Sequence, residues 1–319
     1  MSSPTRVSII ICTCNRAADL RQTLAAVAQV CVPEQMPTEL VVVDNASTDA
    51  TAEVIASCRM PNMPVRYIHE PRRGKGYAYN TGMAAARGEV FLFTDDDVRP
   101  PKNWIEGMCG PILRGEADAV AGGVTIAPHL ERAWFSPTQR GWLAELKHPR
   151  WERMSQAFLV GANMAFSRNV LEKVPAFDPE LGPGATGFGD DGLFGLQLQG
   201  AGFSVYATPE ANVEHHFAED RLLRRNFLSI AQRMGRTDAY LAHHWQHRPI
   251  TLPHLRLVKH WLHLTLLRII KRKECHSVEG MPAWEMVLLQ KVSLYRQYLI
   301  ERKRLRTYKK HGLVKRTVA

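Results

Sequence analysis

No stretch of this 319-residue sequence is apolar for long enough to span a bilayer. The early run Val7 to Cys14, preceded by a short polar stretch with one arginine, is also too short for the core of a secretory signal. The N-terminus therefore reads as cytoplasmic and structural. Paired cysteines are missing too: Cys12, Cys14, Cys31, Cys58, Cys109 and Cys275 are scattered with no CxxC spacing, which argues against a zinc site or a disulfide framework. Acids are scarce at the C-terminal end, where ten Lys or Arg residues from Lys291 onward face Glu301 alone. That tail carries +9 of the formal net charge of +10, so the rest of the chain is nearly balanced. What remains, 45% hydrophobic and 23% charged, is the profile of a globular protein with one large core and an appendage.

Hydrophobic patterning predicts alternating strands and helices. Val7 to Thr13 is a β-branched run suited to a strand buried on both faces, and a helical pattern through Leu20, Leu24 and Val27 follows it. Glu39 to Asp44 repeats the strand signal, and Asn45 to Asp49 supplies N-cap chemistry for a helix towards Cys58. Val65 to Ile68, the turn at Gly74 to Gly76, a helix Tyr77 to Arg87 and a strand Glu89 to Thr94 complete the series. Further on, a helix to Arg114, an apolar segment Ala117 to Val124, a flap-like stretch Ala127 to Ser155, and strands at Ala157 to Phe166 and Phe203 to Ala207 flank a helix Asp191 to Gln199. This order implies a right-handed, mostly parallel sheet with helices on both faces, whose ligands bind beyond the carboxyl ends of the strands.

Asp95, Asp96 and Asp97 directly follow the fourth strand and so enter that crevice. Three adjacent carboxylates repel one another unless a cation is present, and hard oxygen ligands suit Mg²⁺ or Mn²⁺, which bridge substrate phosphates. A solvated acidic turn or helix cap has the same composition. Asp44 ends the second strand, and Thr13, Asn15 and Arg16 lie at the end of the first, so polar groups converge on one edge. A carboxylate there accepts hydrogen bonds from ribose hydroxyls or a base N–H, although each residue alone also suits a turn or cap. Asp190 and Asp191 open a helix after the glycine-rich run Gly182 to Gly189, where a plain N-cap is the competing reading.

The segments VSIIICTCNR, ELVVVDNASTD, GKGYAYNTGMAAARGEVFLFTDDDV and GANMAFSR…GFGDDGLFGLQLQGAG resemble successive motifs of glycosyltransferase family 2, over roughly residues 6 to 240. The resemblance implies an α/β GT-A fold, a Rossmann-like, mostly parallel sheet flanked by helices, followed by a helical basic C-terminal extension. It implies an inverting, metal-dependent transfer from a nucleoside-diphosphate sugar, with UDP-sugars favoured. Asp95 and Asp97 would be the acids of the DxD motif, Asp95 near the ribose or metal and Asp97 the metal ligand, with Mn²⁺ or Mg²⁺ as cofactor. Thr13 and Asp44 would contact the base, supported by Asn15 and Arg16, while Lys75, Asn80 and Asp96 would complete the donor side. Asp191 inherits the role of catalytic base, and Asp190 replaces the longer acid usual before it on the acceptor side. His215, in a Val-x-His element, would be a metal or phosphate contact. Trp142 and Trp151, with Trp134, could stack on the acceptor or anchor the flap.

The expected division is a catalytic domain at 1–218, with a donor-binding half 1–124 and an acceptor-binding half 125–218, then a helical basic region 219–319. Leu255 to Ile270 is too charged and too short to span a membrane and fits an interfacial helix or one packed on the catalytic domain. The basic tail adds attraction to anionic lipid rather than to nucleic acid, so the expected place is the cytoplasm, peripheral to the membrane's cytoplasmic face. No QxxRW element follows Asp191, which separates the chain from processive synthases and points to one sugar per binding event on a glycan or lipid-linked glycan in envelope polysaccharide assembly. Two rivals are a sugar-1-phosphate nucleotidyltransferase, whose Gly-rich loop is absent after the first strand, and a non-catalytic basic membrane- or nucleic-acid-binding module on the same scaffold.

Overall fold

The computed structural model describes residues 5–309, so Lys310, Lys315 and Arg316 of the basic tail lie outside the described residues. The strands are β1 (Val7–Thr13), β2 (Thr38–Asp44), β3 (Val65–His69), β4 (Val90–Asp95), β5 (Val98–Arg99), β6 (Ala119–Ile126), β7 (Glu152–Arg153), β8 (Met164–Ser167) and β9 (Val205–His215). The helices are α1 (Ala17–Val27), α2 (Thr51–Ser57), α3 (Lys75–Ala85), α4 (Trp104–Leu113), α5 (Pro137–Trp142), α6 (Asp190–Gly200), α7 (Arg224–Tyr240), α8 (Pro253–Ile270) and α9 (Ala283–Glu301). All strands belong to one sheet, ordered β3-β2-β1-β4-β8-β6-β9-β5, with β7 also paired to β9. The long registers, β3 on β2 on β1 on β4 and β6 on β9, are parallel. Between these strands, the antiparallel pairings are those of β8 and of the two-residue strands β5 and β7.

Alternation along β1 and β2 explains the two helical layers, because successive side chains leave opposite faces of a strand. Ile9, Ile11, Leu40 and Val42 join the core cluster of Leu20, Leu24 and Val27 from α1. Burying those three helical side chains contributes about 1.5–3 kcal/mol each. Ile10 and Val43 face the other way, onto α3. A β-carbon at Gly82 would lie 2.7 Å from Ile10 Cγ2 and 3.2 Å from Val43 Cγ2, so α3 approaches as closely as a glycine allows.

Two expectations change. The predicted strand Ala157 to Phe166 narrows to β8, because the chain turns at Gly161, where Asn163 N–H donates to Val160 O at 2.9 Å. The predicted strand Phe203 to Ala207 lengthens into β9, which runs on to His215 and whose pairing with β6 slips between Gly122 and Val124. The slip leaves Pro209, which has no N–H for the ladder, between paired Thr208 and Val213.

By contact clustering the described chain has two compact units, the first built from residues up to Leu130, Ala144–Pro179 and Asp190–Phe217, and containing the whole sheet. The second gathers Glu131–Leu143, Glu180–Gly189 and the residues after Phe217, with α7, α8 and α9 as its frame. Within it Glu285 is fully buried, and accepts hydrogen bonds from Arg224 at 2.7 Å and Arg268 at 2.7 Å, so its charge is compensated from two helices. No described helix is long and apolar enough to cross a membrane.

Candidate functional site

The parallel register sets the site. Thr13 pairs with Asp44 and Cys12 with Asp95, so the carboxyl ends of β1, β2 and β4 stop level with one another. Antiparallel pairing of Val98 with His215 carries the end of β9 to the same edge. Asp44 is buried, accepting from Ser47 N–H at 3.0 Å and from the Tyr67 hydroxyl at 3.1 Å. Asn15 adopts the left-handed conformation (φ 55°) and its side-chain oxygen accepts from Thr48 N–H at 2.7 Å, clamping the turn after β2.

The acidic run divides its work by direction. Asp95, half-buried at the end of β4, is paired with Lys75 Nζ at 2.6 Å. Asp96 turns inward, where Thr13 donates to it at 2.6 Å and Arg16 pairs with it at 2.9 Å. Burial, reinforced by Asp97 and opposed by Arg16 and Thr13, raises its carboxyl to about 7. Asp97 is held by Arg16 at 2.8 Å and lies 3.3 Å from His215 Nε2. Arg16 thus bridges Asp96 and Asp97, and their charge lifts its guanidinium further above the usual range despite burial.

Two carboxylates and an imidazole on one edge form an oxygen-rich donor set of the kind Mg²⁺ and Mn²⁺ accept, so the residues present fit such an ion. Among the described residues no three His, Cys, Asp or Glu side chains are already gathered as a metal-binding group. A complete protein cage is not required for Mg²⁺, which is commonly held by one or two carboxylates with substrate phosphates and water supplying the rest.

Asp190 and Asp191 open α6. Asp191 accepts from Gly161 N–H at 2.8 Å and from Gly192 N–H at 2.7 Å, and both bonds favour its charged form. Asp190 is more deeply buried, and its Oδ2 has no hydrogen-bond partner among the described residues. Burial, with Asp191 as like-charged neighbour, raises Asp190 to about 7, against the pull of Lys75. Burial also raises Asp191, while Lys75 and the two glycine N–H groups pull it back. The two backbone N–H groups from which Asp191 accepts, and which Asp190 Oδ2 lacks, favour Asp191 as the carboxylate of the pair. Lys75, raised by Asp95 in spite of burial, acts electrostatically on both members of the pair and so links the two acidic groups.

The structure thus brings Thr13, Arg16, Asp44, Lys75, Asp95, Asp96, Asp97, Asp190, Asp191 and His215 together in the first unit. Asn80 is there as well, donating to the Phe177 carbonyl at 3.0 Å and accepting from the Phe177 N–H at 2.8 Å. Trp151 stacks on Tyr206 with ring centroids 4.9 Å apart, whereas Trp142 belongs to the second unit.

Sequence reasoning missed Asn45, Tyr79 and Gly161. Asn45 accepts from Gly74 N–H at 2.8 Å and donates to Arg72 O at 2.6 Å, fixing the turn that delivers Lys75; its place in a helix-capping motif concealed this. Tyr79 buries a hydroxyl that has no partner among the described residues. A β-carbon on Gly161 would fall onto that hydroxyl and lie 3.1 Å from Lys75 Nζ. Gly161→Ala is therefore expected to move both Lys75 and the N–H that holds Asp191, lowering kcat about 10²-fold. The accompanying loss of stability should be about 1–3 kcal/mol. Steady-state rates with denaturant unfolding check both, and an unchanged kcat would show that the close approach has no part in turnover.

Comparison with known proteins follows the same segments. Residues 8–175 match the family model for glycosyl transferase family 2. The succinoglycan biosynthesis protein ExoM of Rhizobium meliloti strain 1021 is 27% identical over 249 residues, 74% of this chain and 76% of that protein. Glycosyltransferase AglE of Haloferax volcanii is 32% identical over 120 residues, 37% of this chain and 39% of its own. Among solved structures, mannosyltransferase PcManGT from Pyrobaculum calidifontis, in complex with GDP-Man and Mn²⁺, superposes with a TM-score of 0.62 at 18% identity, over 93% of this chain and 89% of that one. Staphylococcal (S. aureus) TarS 1-349, in complex with UDP-GlcNAc, gives 0.50 at 14% identity over 94% and 91%. With a mostly parallel α/β sheet like theirs and a family match across β1 to β8, the chain belongs to glycosyl transferase family 2 and is a glycosyltransferase.

Proposed function

We propose that this enzyme moves one sugar from a nucleoside-diphosphate sugar, preferentially a UDP-sugar, to a glycan or lipid-linked glycan with inversion at the anomeric carbon. The setting proposed is envelope polysaccharide assembly on the cytoplasmic face of a membrane. The observation that carries this reading is the placement of Asp191: a carboxylate oriented by two backbone N–H groups and linked electrostatically through Lys75 to Asp95 on the neighbouring acidic group. One group suits donor binding and the other proton removal.

Thr13 and Asp44 flank the base, with Asn15 and Arg16 fixing the loops that form the pocket. Lys75, at the start of α3, offers a cation to the diphosphate, where a helix N-terminus also favours anions. Asp97, Asp95 and His215 are the residues that would hold Mn²⁺ or Mg²⁺, and a bound ion would offset the charge that develops on the departing diphosphate. Asp191 removes the proton from the acceptor hydroxyl as that oxygen attacks the anomeric carbon opposite the diphosphate. Asp190 flanks it on the acceptor side, with Trp151 as an acceptor contact. Asp96 serves the donor side through Arg16 and Thr13. PcManGT, which holds GDP-Man with Mn²⁺, and ExoM, a polysaccharide biosynthesis protein, support this reading.

Proton NMR of the first product tests the single displacement. An α-linked donor should give a β-linked product, and retention of the donor's configuration would sink the mechanism. A nucleotidyltransferase would instead release pyrophosphate from a nucleoside triphosphate and a sugar 1-phosphate.

A further inference from the structure

We propose that the outward face of α8, with a cationic cleft beside its N-terminal end, is a docking surface for a bilayer that contains anionic phospholipid. On its inner side α8 rests against α9: Leu264 is buried, and the His260 ring lies 5.2 Å from that of Tyr295. Leu255, Val258, Leu262, Leu266 and Ile269 recur at intervals of three and four residues, so they form one stripe on the opposite side. Each is between 53% and 69% exposed. A continuous apolar stripe left in water on an 18-residue helix marks an interaction surface rather than ordinary scatter.

Charge selects the occupant. Pro253 to Ile270 contains no Asp or Glu, while Arg256 and Lys259 flank the stripe and Lys271, Arg272 and Lys273 follow it. Trp261, more than half exposed, sits at the border of the stripe, where an indole suits the headgroup level. Beside the start of α8 a cavity of about 280 Å³ is lined by Arg248, Arg256 and Lys291 together with Ile250, Leu294 and Tyr295, and by no carboxylate. Three cations converging there suit a phosphate-bearing headgroup. Apolar side chains rimmed by cations are the pattern of a helix lying flat in an anionic interface. A second copy of the chain would bring like-charged rims together, because a two-fold interface presents the same patch from both sides. A nucleic acid would leave the apolar stripe in water.

The surface stands independently of the transfer chemistry, since vesicle binding is read without donor or acceptor. Flotation of the full chain with vesicles of phosphatidylcholine alone, or mixed with phosphatidylglycerol, gives the test. The chain should bind the mixed vesicles and bind the neutral ones at least about tenfold more weakly. Leu262→Glu with Leu266→Glu should weaken binding at least about tenfold. Arg256→Gln with Lys291→Gln should weaken it about twenty-fivefold, at about fivefold per cation. These side chains are at the surface or line the cleft, so circular dichroism and nucleotide-sugar binding should stay as in the parent. Equal affinity for neutral and mixed vesicles, or no effect of the two glutamates, would overturn the proposal. So would release from vesicles by millimolar inorganic phosphate or single-stranded RNA, or glutamate variants that only convert a dimer to a monomer with vesicle binding unchanged.

Discussion

Asp191→Asn is expected to lower kcat about 10²- to 10⁴-fold, the range supplied by a positioned general base. That corresponds to about 3–5.5 kcal/mol of lost transition-state stabilisation. Asparagine keeps the size of the side chain and one acceptor oxygen, enough for Gly161 N–H or Gly192 N–H but not both since each bonds a different Asp191 oxygen, and it cannot take the acceptor's proton. Donor affinity should change by no more than about threefold, because the lost interaction belongs to the transition state. The parent's pH profile carries the same signature. Burial, opposed by Lys75 and the two glycine N–H groups, raises the Asp191 pKa, so on acidification the base protonates, and kcat falls, at a higher pH than for an unperturbed aspartate. The rate is fully present above that raised value. An acid limb at the position of an unperturbed aspartate, or an Asp191→Asn enzyme with parental kcat, would remove Asp191 from the reaction.

Asp97→Asn should act on the other half of the site. Losing one charge from the residue that faces His215 and Arg16 is expected to weaken Mn²⁺-dependent donor binding at least about 10²-fold and to lower kcat/KM about 10³-fold. The variant should also leave Arg16 paired with Asp96, which is buried and held by Thr13, so the loop keeps its anchor. Calorimetric titration with the donor, with and without Mn²⁺, checks the first figure and initial rates the second. A variant that binds donor as the parent does, with the same metal dependence, would move the metal reading away from Asp97.

Much of this site was legible before any coordinates, for a physical reason. β1, β2 and β4 are buried on both faces, so their Val, Ile, Leu and Phe runs mark the strands, and the polar residues that end them fall at the ligand edge. Thr13, Asp44 and Asp95 follow directly from that pattern, whereas the glycine-rich run marks Asp190 and Asp191 only as a helix start, and the family resemblance suggested their role.

Contacts made by backbone atoms across long sequence separations were not legible. Gly161 N–H reaches Asp191 thirty residues away, and nothing in the residue types announces it. The bonds of Asn80 with the backbone of Phe177, 97 residues on, were equally hidden. The separate directions of Asp95, Asp96 and Asp97 also needed the structure, because an acidic triplet has no pattern that tells which member turns inward. The length of β9 was not legible either, because its continuation past Pro209 depends on the register slip with β6 between Gly122 and Val124.

The most direct test of the division between donor binding and acceptor activation is one titration: donor with Mn²⁺ into Asp191→Asn, under conditions where the parent turns over. The predicted result is a dissociation constant within about threefold of the value for Asp191-containing enzyme held without acceptor, with no transfer when acceptor is added. Loss of donor binding in this variant would contradict it, because Asp191 would then belong to the donor site.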